Sequence, residues 1–331
     1  MRHSSAAAAV VVAAVVAAPL GASPAAADTR AASREARAAW APYCEDRSGN
    51  GYPCGQWRLI MRDSRTVIVR DALTRAADGD GAPLYGEAPF AVSADGRWIA
   101  YVRASDHRMV VRRAAGGPVT ELPASLTPKS RGTGDMTLRL SPRGDRLVID
   151  HTTGRRPGTI VTVKTGATVN IPAGEVPQTF SADGDELLTA RNLSDNTMVL
   201  TVRRLDGGAP VKRRPPQAVA AASVFALAAD GRNLAALTPG DYDGAGPPRM
   251  REYDLVGDEL GPSIKVAVKR GYHPAVAHYR DGDRLAVLAY EDESPAGHAQ
   301  LIDLETATGA VTQRDHYPVK KNRYTVRLAG A

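Results

Sequence analysis

Along most of this chain the apolar positions come in a fixed order: an arm in which they alternate, a polar turn, then an arm apolar on both sides. The clearest case is FAVSADGRWIAYV, residues 90–102. It recurs as LRLSPRGDRLVID (138–150), QTFSADGDELLTA (178–190), FALAADGRNLAAL (225–237) and VAHYRDGDRLAVL (276–288). Alternation, as at Phe90 and Val92 or Leu138 and Leu140, marks a strand with one buried face. The second arm, as in Trp98-Ile99-Ala100-Tyr101-Val102 or Leu285-Ala286-Val287-Leu288, is apolar on both faces and predicts a strand held between two sheets. Between the arms stand Asp95-Gly96, Asp183-Gly184, Asp230-Gly231 and Asp281-Gly282, which suit a tight reversal because glycine accepts positive φ. Further strands follow each copy, for example at 109–114, 159–163, 198–205, 249–255 and 299–304.

The seventh position of every copy is glycine: Gly96, Gly144, Gly184, Gly231 and Gly282, separated by 48, 40, 47 and 51 residues. A period in this range belongs to the blades of a propeller. The expected fold class is therefore all-β, a β-propeller. Residues 57–62 and 66–70 read as a hairpin with no copy of the motif before them, and 323–328 (RYTVRL) as an orphan strand after the fifth copy. Joining these ends, with 82–85 as a further outer strand, makes a sixth blade and removes the exposed edges that an open five-bladed ring would carry. Six blades is the reading adopted, with five or seven as the alternatives.

The serine, small residue and Asp-Gly of Ser93-Ala94-Asp95-Gly96 and Ser181-Ala182-Asp183-Gly184 resemble the WD40-like (TolB-type) β-propeller repeat. Ser141-Pro142-Arg143-Gly144 departs at the aspartate, and Ala228 and Tyr279 replace the serine. The resemblance covers about residues 57–328 and implies a fold. The repeat occurs in translocation proteins, in the propellers of prolyl-oligopeptidase-type enzymes and in secreted proteins without an assigned role, so it singles out no activity.

The two ends read differently. Residues 1–27 have the shape of a secretory signal: Arg2, an apolar run from Ala6 to Ala18, Pro19 and Gly21, then Ala25-Ala26-Ala27. The run is short for a spanning helix, which needs about 20 residues. Residues 28–56 form an N-terminal leader, of which 28–43, alanine-rich and polar, predict a short helix or loose segment packed outside the propeller; the propeller itself is assigned to 57–331. Cys44 and Cys54 are the only cysteines, and in an exported chain they pair most simply with each other, closing an 11-residue loop. Their spacing is not that of a Cys-x-x-Cys redox pair. The expected location is extracytoplasmic, with no membrane span after signal cleavage, and the expected state a monomer.

Net charge is +6, falling to +5 without Arg2, a mild excess for this length. The clusters Lys212-Arg213-Arg214 and Lys320-Lys321-Asn322-Arg323 lack the interleaved aromatics that stack bases, so no nucleic-acid partner is expected. No Gly-x-Ser-x-Gly, His-Glu-x-x-His, Walker loop or dinucleotide fingerprint occurs, and no catalytic residue is assigned. His278 is the odd residue of the set, occupying a first-strand position filled elsewhere by Val92, Leu140, Phe180 and Leu227. With His273, Asp241 and Asp243 it makes the candidate binding set, although a histidine satisfied by backbone groups is the commoner outcome. Asp46, Ser48 and Asn50 have calcium-loop spacing without the rest of the loop, and Asp78-Gly79-Asp80 and Asp281-Gly282-Asp283 are Asp-x-Asp turns. No cofactor is expected, with calcium ligation by these oxygen-rich turns as the alternative. The expected function is a secreted, non-catalytic platform for an unknown protein or cell-envelope ligand; the alternative is a metal-assisted hydrolase or lactonase with an axial site.

Overall fold

The computed structural model describes residues 34–127, 131–240, 246–291, 297–319 and 322–331. Six antiparallel sheets stand around a common axis. The first blade comprises Phe90–Val92, Trp98–Val102, Met109–Arg113 and Val119–Glu121, and the second Met136–Leu140, Arg146–His151, Gly158–Thr162 and Thr168–Ile171. The third is Val176–Phe180, Glu186–Asn192, Met198–Arg204 and Val211–Arg213. The fourth is Val224–Leu227, Asn233–Thr238 and Arg249–Asp254, whose outer side is paired by both Glu259–Leu260 and Ile264–Lys265. The fifth is His273–Asp281, Arg284–Glu291, His298–Glu305 and Val311–Pro318. The recurring motif is in each case the innermost strand, the turn and the second strand.

The serine of the motif has a physical task. Ser93 Oγ donates to Asp95 Oδ1 (2.6 Å) and accepts from the Trp98 amide (3.0 Å), closing the turn on itself. Ser181 repeats this with Asp183 and Glu186. In the second blade, where Arg143 replaces the aspartate, Ser141 donates instead to Asp145 (2.8 Å), so the departure is compensated two residues later. Gly96, Gly144, Gly184 and Gly231 all take positive φ. Gly282 does not, because the fifth blade's strands run on to pair Asp281 with Arg284.

The sixth blade is stitched from both ends of the chain. Arg323–Leu328 is innermost, Ala36–Glu45 second, Trp57–Met61 third and Thr66–Val69 outermost. Two expectations are corrected. Residues 36–45 are neither helix nor outlying leader but a strand paired on both sides, to Arg323–Leu328 and to Trp57–Met61. Their alanines, with helical propensity in isolation, are core residues here: Ala38, Ala39 and Ala41 are fully buried. Tertiary packing overrides local preference here. Residues 82–85 likewise do not join the closing blade; Pro83–Glu87 pairs with Arg75–Ala77 in a separate hairpin before the first blade.

Among the described residues the apolar side chains gather in six clusters, one at each interface between neighbouring blades. The one between the sixth and first blades holds Trp57, Leu59, Met61, Phe90, Ile99 and Tyr101, with Trp57 and Phe90 stacked at 4.5 Å. The one between the fifth and sixth holds Ala38, Val276, Leu288, Ala299, Tyr317 and Leu328. Closure is thus by packing as well as by hydrogen bonds. Among the described residues no helix is long and apolar enough to cross a membrane. The expected signal segment, residues 1–27, lies outside the described residues.

Candidate functional site

The two flat sides of the ring are built from different connections. One side carries the tight turns after each innermost strand. The other carries the longer links, including the disulfide loop, the Arg75–Glu87 hairpin and the short helix Gln217–Ala220. Each mouth of the central channel opens into a cavity.

At the turn side the cavity measures about 290 Å³ and is lined by Glu35, Arg37, Arg97, His278, Arg280 and Tyr317, among others. Its charges are largely matched: Glu35 meets Arg62 (2.9 Å) and Arg97 (3.1 Å), Arg37 meets Asp315 (2.7 Å), and Arg280 meets Asp303 (3.4 Å). Arg37 also lies over the Tyr317 ring at 5.0 Å. The neighbouring Tyr279 hydroxyl donates to Glu252 (3.0 Å), and burial pushes its pKa up.

At the link side the channel opens into a cavity of about 390 Å³ lined by Glu87, Thr137, Arg139, Asp150, His151 and Arg327, with Ala331 at its edge. Arg327 and Thr325 both donate to Glu87. Arg139 donates to the Gly330 carbonyl (3.1 Å). Burial pushes the Asp150 carboxyl up. His151 and Met136 form a wall shared with a second pocket of about 450 Å³, where Asp135 lies 3.6 Å from His151 Nδ1 and 3.4 Å from Arg156.

The candidate set does not come together. His278 is half-buried in the turn-side cavity. His273 begins the same strand, opposite Tyr290, roughly 16 Å away along it toward the link side. Asp241 and Asp243 lie outside the described residues. Cys44 and Cys54 are joined, their Cα atoms 5.8 Å apart. The calcium-like trio is a self-contained turn: Asp46 Oδ1 accepts from the Ser48 and Asn50 amides (2.8 and 2.9 Å), and its other oxygen from Tyr85 (2.6 Å). Asp78 does the same for the amides of Asp80 and Ala82.

Sequence reasoning missed a cluster in the fifth blade. The His298 and His316 rings stack at 5.3 Å, nearly parallel, with Glu291 on His298 Nδ1 (3.2 Å) and the Tyr272 hydroxyl on His316 Nε2 (3.1 Å). The register that sets Gln300 opposite His316 makes His298 its diagonal neighbour, the signal that strand alignment carries. Parallel rings aim their nitrogens side by side, not at one point. Among the described residues no group of three or more His, Cys, Asp or Glu converges as metal ligands do.

No protein-family model matches this chain, and no curated protein does. Solved structures match in shape. A chain described as TolB from Agrobacterium tumefaciens aligns at 11% identity over 86% of this chain and 91% of its own, with a TM-score of 0.47. TolB from Acinetobacter baumannii aligns at 13% identity over 88% and 65%, with a TM-score of 0.46. The β-propeller domain of the Trilobed protease from Pyrococcus furiosus aligns at 11% identity over 89% and 92%, with a TM-score of 0.47. Identities this low concern fold alone, and the blade count rests on the six sheets of this chain itself. The chain is a six-bladed β-propeller whose structural neighbours are TolB and other propeller domains.

Proposed function

We propose that this protein is an extracytoplasmic, non-catalytic propeller that meets a protein or cell-envelope ligand on the link side of the ring. The supporting observation is the aromatic and cationic surface that the disulfide loop and its neighbours present there. Tyr43 and Tyr85 are 40% and 49% exposed, unusual for side chains of this size. Arg75 lies over both the Tyr52 ring (4.3 Å) and the Tyr85 ring (5.7 Å), and Tyr43 stacks with Tyr324. Tyrosine and arginine held rigidly at a surface are the residue types that carry binding energy in protein interfaces. The disulfide supports an oxidising location, as does the signal-like start. The reading requires no cofactor.

The test is crosslinking of tagged protein at the cell surface, comparing the wild type with a Tyr52→Ala, Arg75→Ala, Tyr85→Ala triple variant. A partner recovered by the first and lost by the second is the expected result. The same partner recovered by both sinks the assignment of this surface. A metal content near one per chain by elemental analysis turns the reading toward a metal-assisted enzyme.

A further inference from the structure

Two arginines of the innermost strands, Arg139 in the second blade and Arg327 in the sixth, line the link-side cavity. Their situations differ. Arg327 is committed to Glu87, and so is Thr325. Arg139 is half-buried at the cavity wall, and the partner it holds is the uncharged Gly330 carbonyl, at 3.1 Å. Its neighbouring carboxylate is Asp150, set diagonally across the strand pair because Arg139 faces Val148 while Thr137 faces Asp150. Burial raises the Asp150 pKa. A guanidinium has five N–H donors in a planar fork and stays charged in proteins. A single neutral acceptor leaves most of the donors of its fork facing the cavity and open to a ligand. The partner that fits the fork is a carboxylate, accepting two parallel hydrogen bonds. Beside it lies the cavity of about 390 Å³, within the size of small-ligand sites, with Pro89, Met136 and Pro177 supplying apolar wall.

We propose that the link-side mouth of the channel is a carboxylate-binding site, with Arg139 as the group that receives the ligand's acid. The inference rests on the reading of the link side as the binding surface and narrows its ligand to one that presents an acidic group to the channel. That group comes either from an acidic peptide segment or from a free small acid, and two probes separate these sources.

The experiment is calorimetric titration of the whole chain with acetyl-Ala-Glu-Ala-amide, with its Gln counterpart, and with glutarate. The Glu peptide is expected to bind at least 10-fold more tightly than the Gln peptide. Arg139→Gln is expected to erase that ratio, and Arg139→Lys to keep part of it. Glutarate binding without peptide binding assigns the source to free acids and keeps the site. Should Arg139→Gln fold poorly, Asp150→Asn serves in its place, since removing the flanking acid should tighten the Glu peptide several-fold and leave the Gln peptide unchanged. Equal affinities for the two peptides, a ratio unaffected by Arg139→Gln in protein with native circular dichroism, or no heat with any probe up to millimolar concentration overturns the proposal. A crosslinked surface partner retained by Arg139→Gln, with the acid preference absent, removes the channel site alone and leaves the platform reading standing.

Discussion

The third blade and the sixth are the same four-stranded object made in opposite ways. The third is one continuous run from Val176 to Arg213, and its strands find their neighbours through short turns. The sixth takes its innermost strand from residues 323–328 and the other three from residues 36–69, so its central pairing joins Trp40 to Val326. A self-contained blade carries its own signature. A stitched blade is held by what surrounds it, and its tolerance of change should be lower.

The largest contrast is expected from strand removal. Deleting residues 323–328 takes away the innermost strand and part of the core between the fifth and sixth blades, and should abolish the cooperative unfolding transition. Deleting 211–213, the outermost strand of the third blade, should leave the transition in place at lower temperature. Comparable loss in both would break the comparison. Next comes Trp57→Ala, at the interface of the closing blade with the first, which should cost about 3–5 kcal/mol in urea unfolding.

A glycine pair sharpens the same point. A Cβ on Gly96 would stand 2.2 Å from the Ala36 carbonyl oxygen, backbone belonging to the closing blade, whereas one on Gly184 meets nothing nearer than 3.4 Å. Both have positive φ, so each alanine variant carries conformational strain of about 1 kcal/mol. Gly96→Ala adds a collision with backbone and should lose about 3 kcal/mol in all. Equal losses at the two sites would mean that the closing blade, facing Gly96, yields as freely as the second blade, whose Ser141 and Pro142 face Gly184. Replacing Cys44 and Cys54 together by serine should cost about 2–3 kcal/mol by the chain-entropy account, since the pair closes an 11-residue loop on the closing blade's second strand.

The smallest effect concerns pH. Burial raises the Asp95 pKa above its ordinary 3.8, against the pull of Ser93, the Arg97 amide and the Arg97 charge. A carboxyl raised on folding binds its proton more tightly in the native state, so it costs nothing in strong acid and subtracts stability as pH climbs past the unfolded value. Asp95→Asn keeps an acceptor for Ser93 and should therefore melt slightly higher than wild type at neutral pH. The two melting temperatures should converge below pH 3.8; a gap that persists there would point to a cause other than ionisation.

The comparison also explains what could be read in advance. Five blades were legible because Asp-Gly turns and two-sided apolar arms are local properties, and the structure places each copy at the inner half of a sheet. The closing blade was legible at Arg323–Leu328, Trp57–Met61 and Thr66–Val69 but not at Ala36–Glu45. An alanine-rich segment announces no strand, and its place in the sheet is set by pairing with Arg323–Leu328 and Trp57–Met61, contacts that exist only after folding. The disulfide was legible by elimination. His278 stood out as a polar residue at an apolar position and does line a cavity, but its separation from His273 follows from strand length, and His298 with His316 from cross-strand register. Arg139 gave no signal, since an arginine between Leu138 and Leu140 reads as the solvent side of an alternating strand.

One consequence of the stitched sheet concerns the order of events during synthesis. Trp40 and Val326 lie against each other although 286 residues separate them in the chain, 326 − 40. Until that final segment emerges, the strand Ala36–Glu45 lacks its innermost partner and the fifth-blade flank at Tyr317 lacks Leu328. Sticky flanks of this kind invite pairing with other unfinished copies, so shutting the ring late makes the interval before completion the period of greatest aggregation risk.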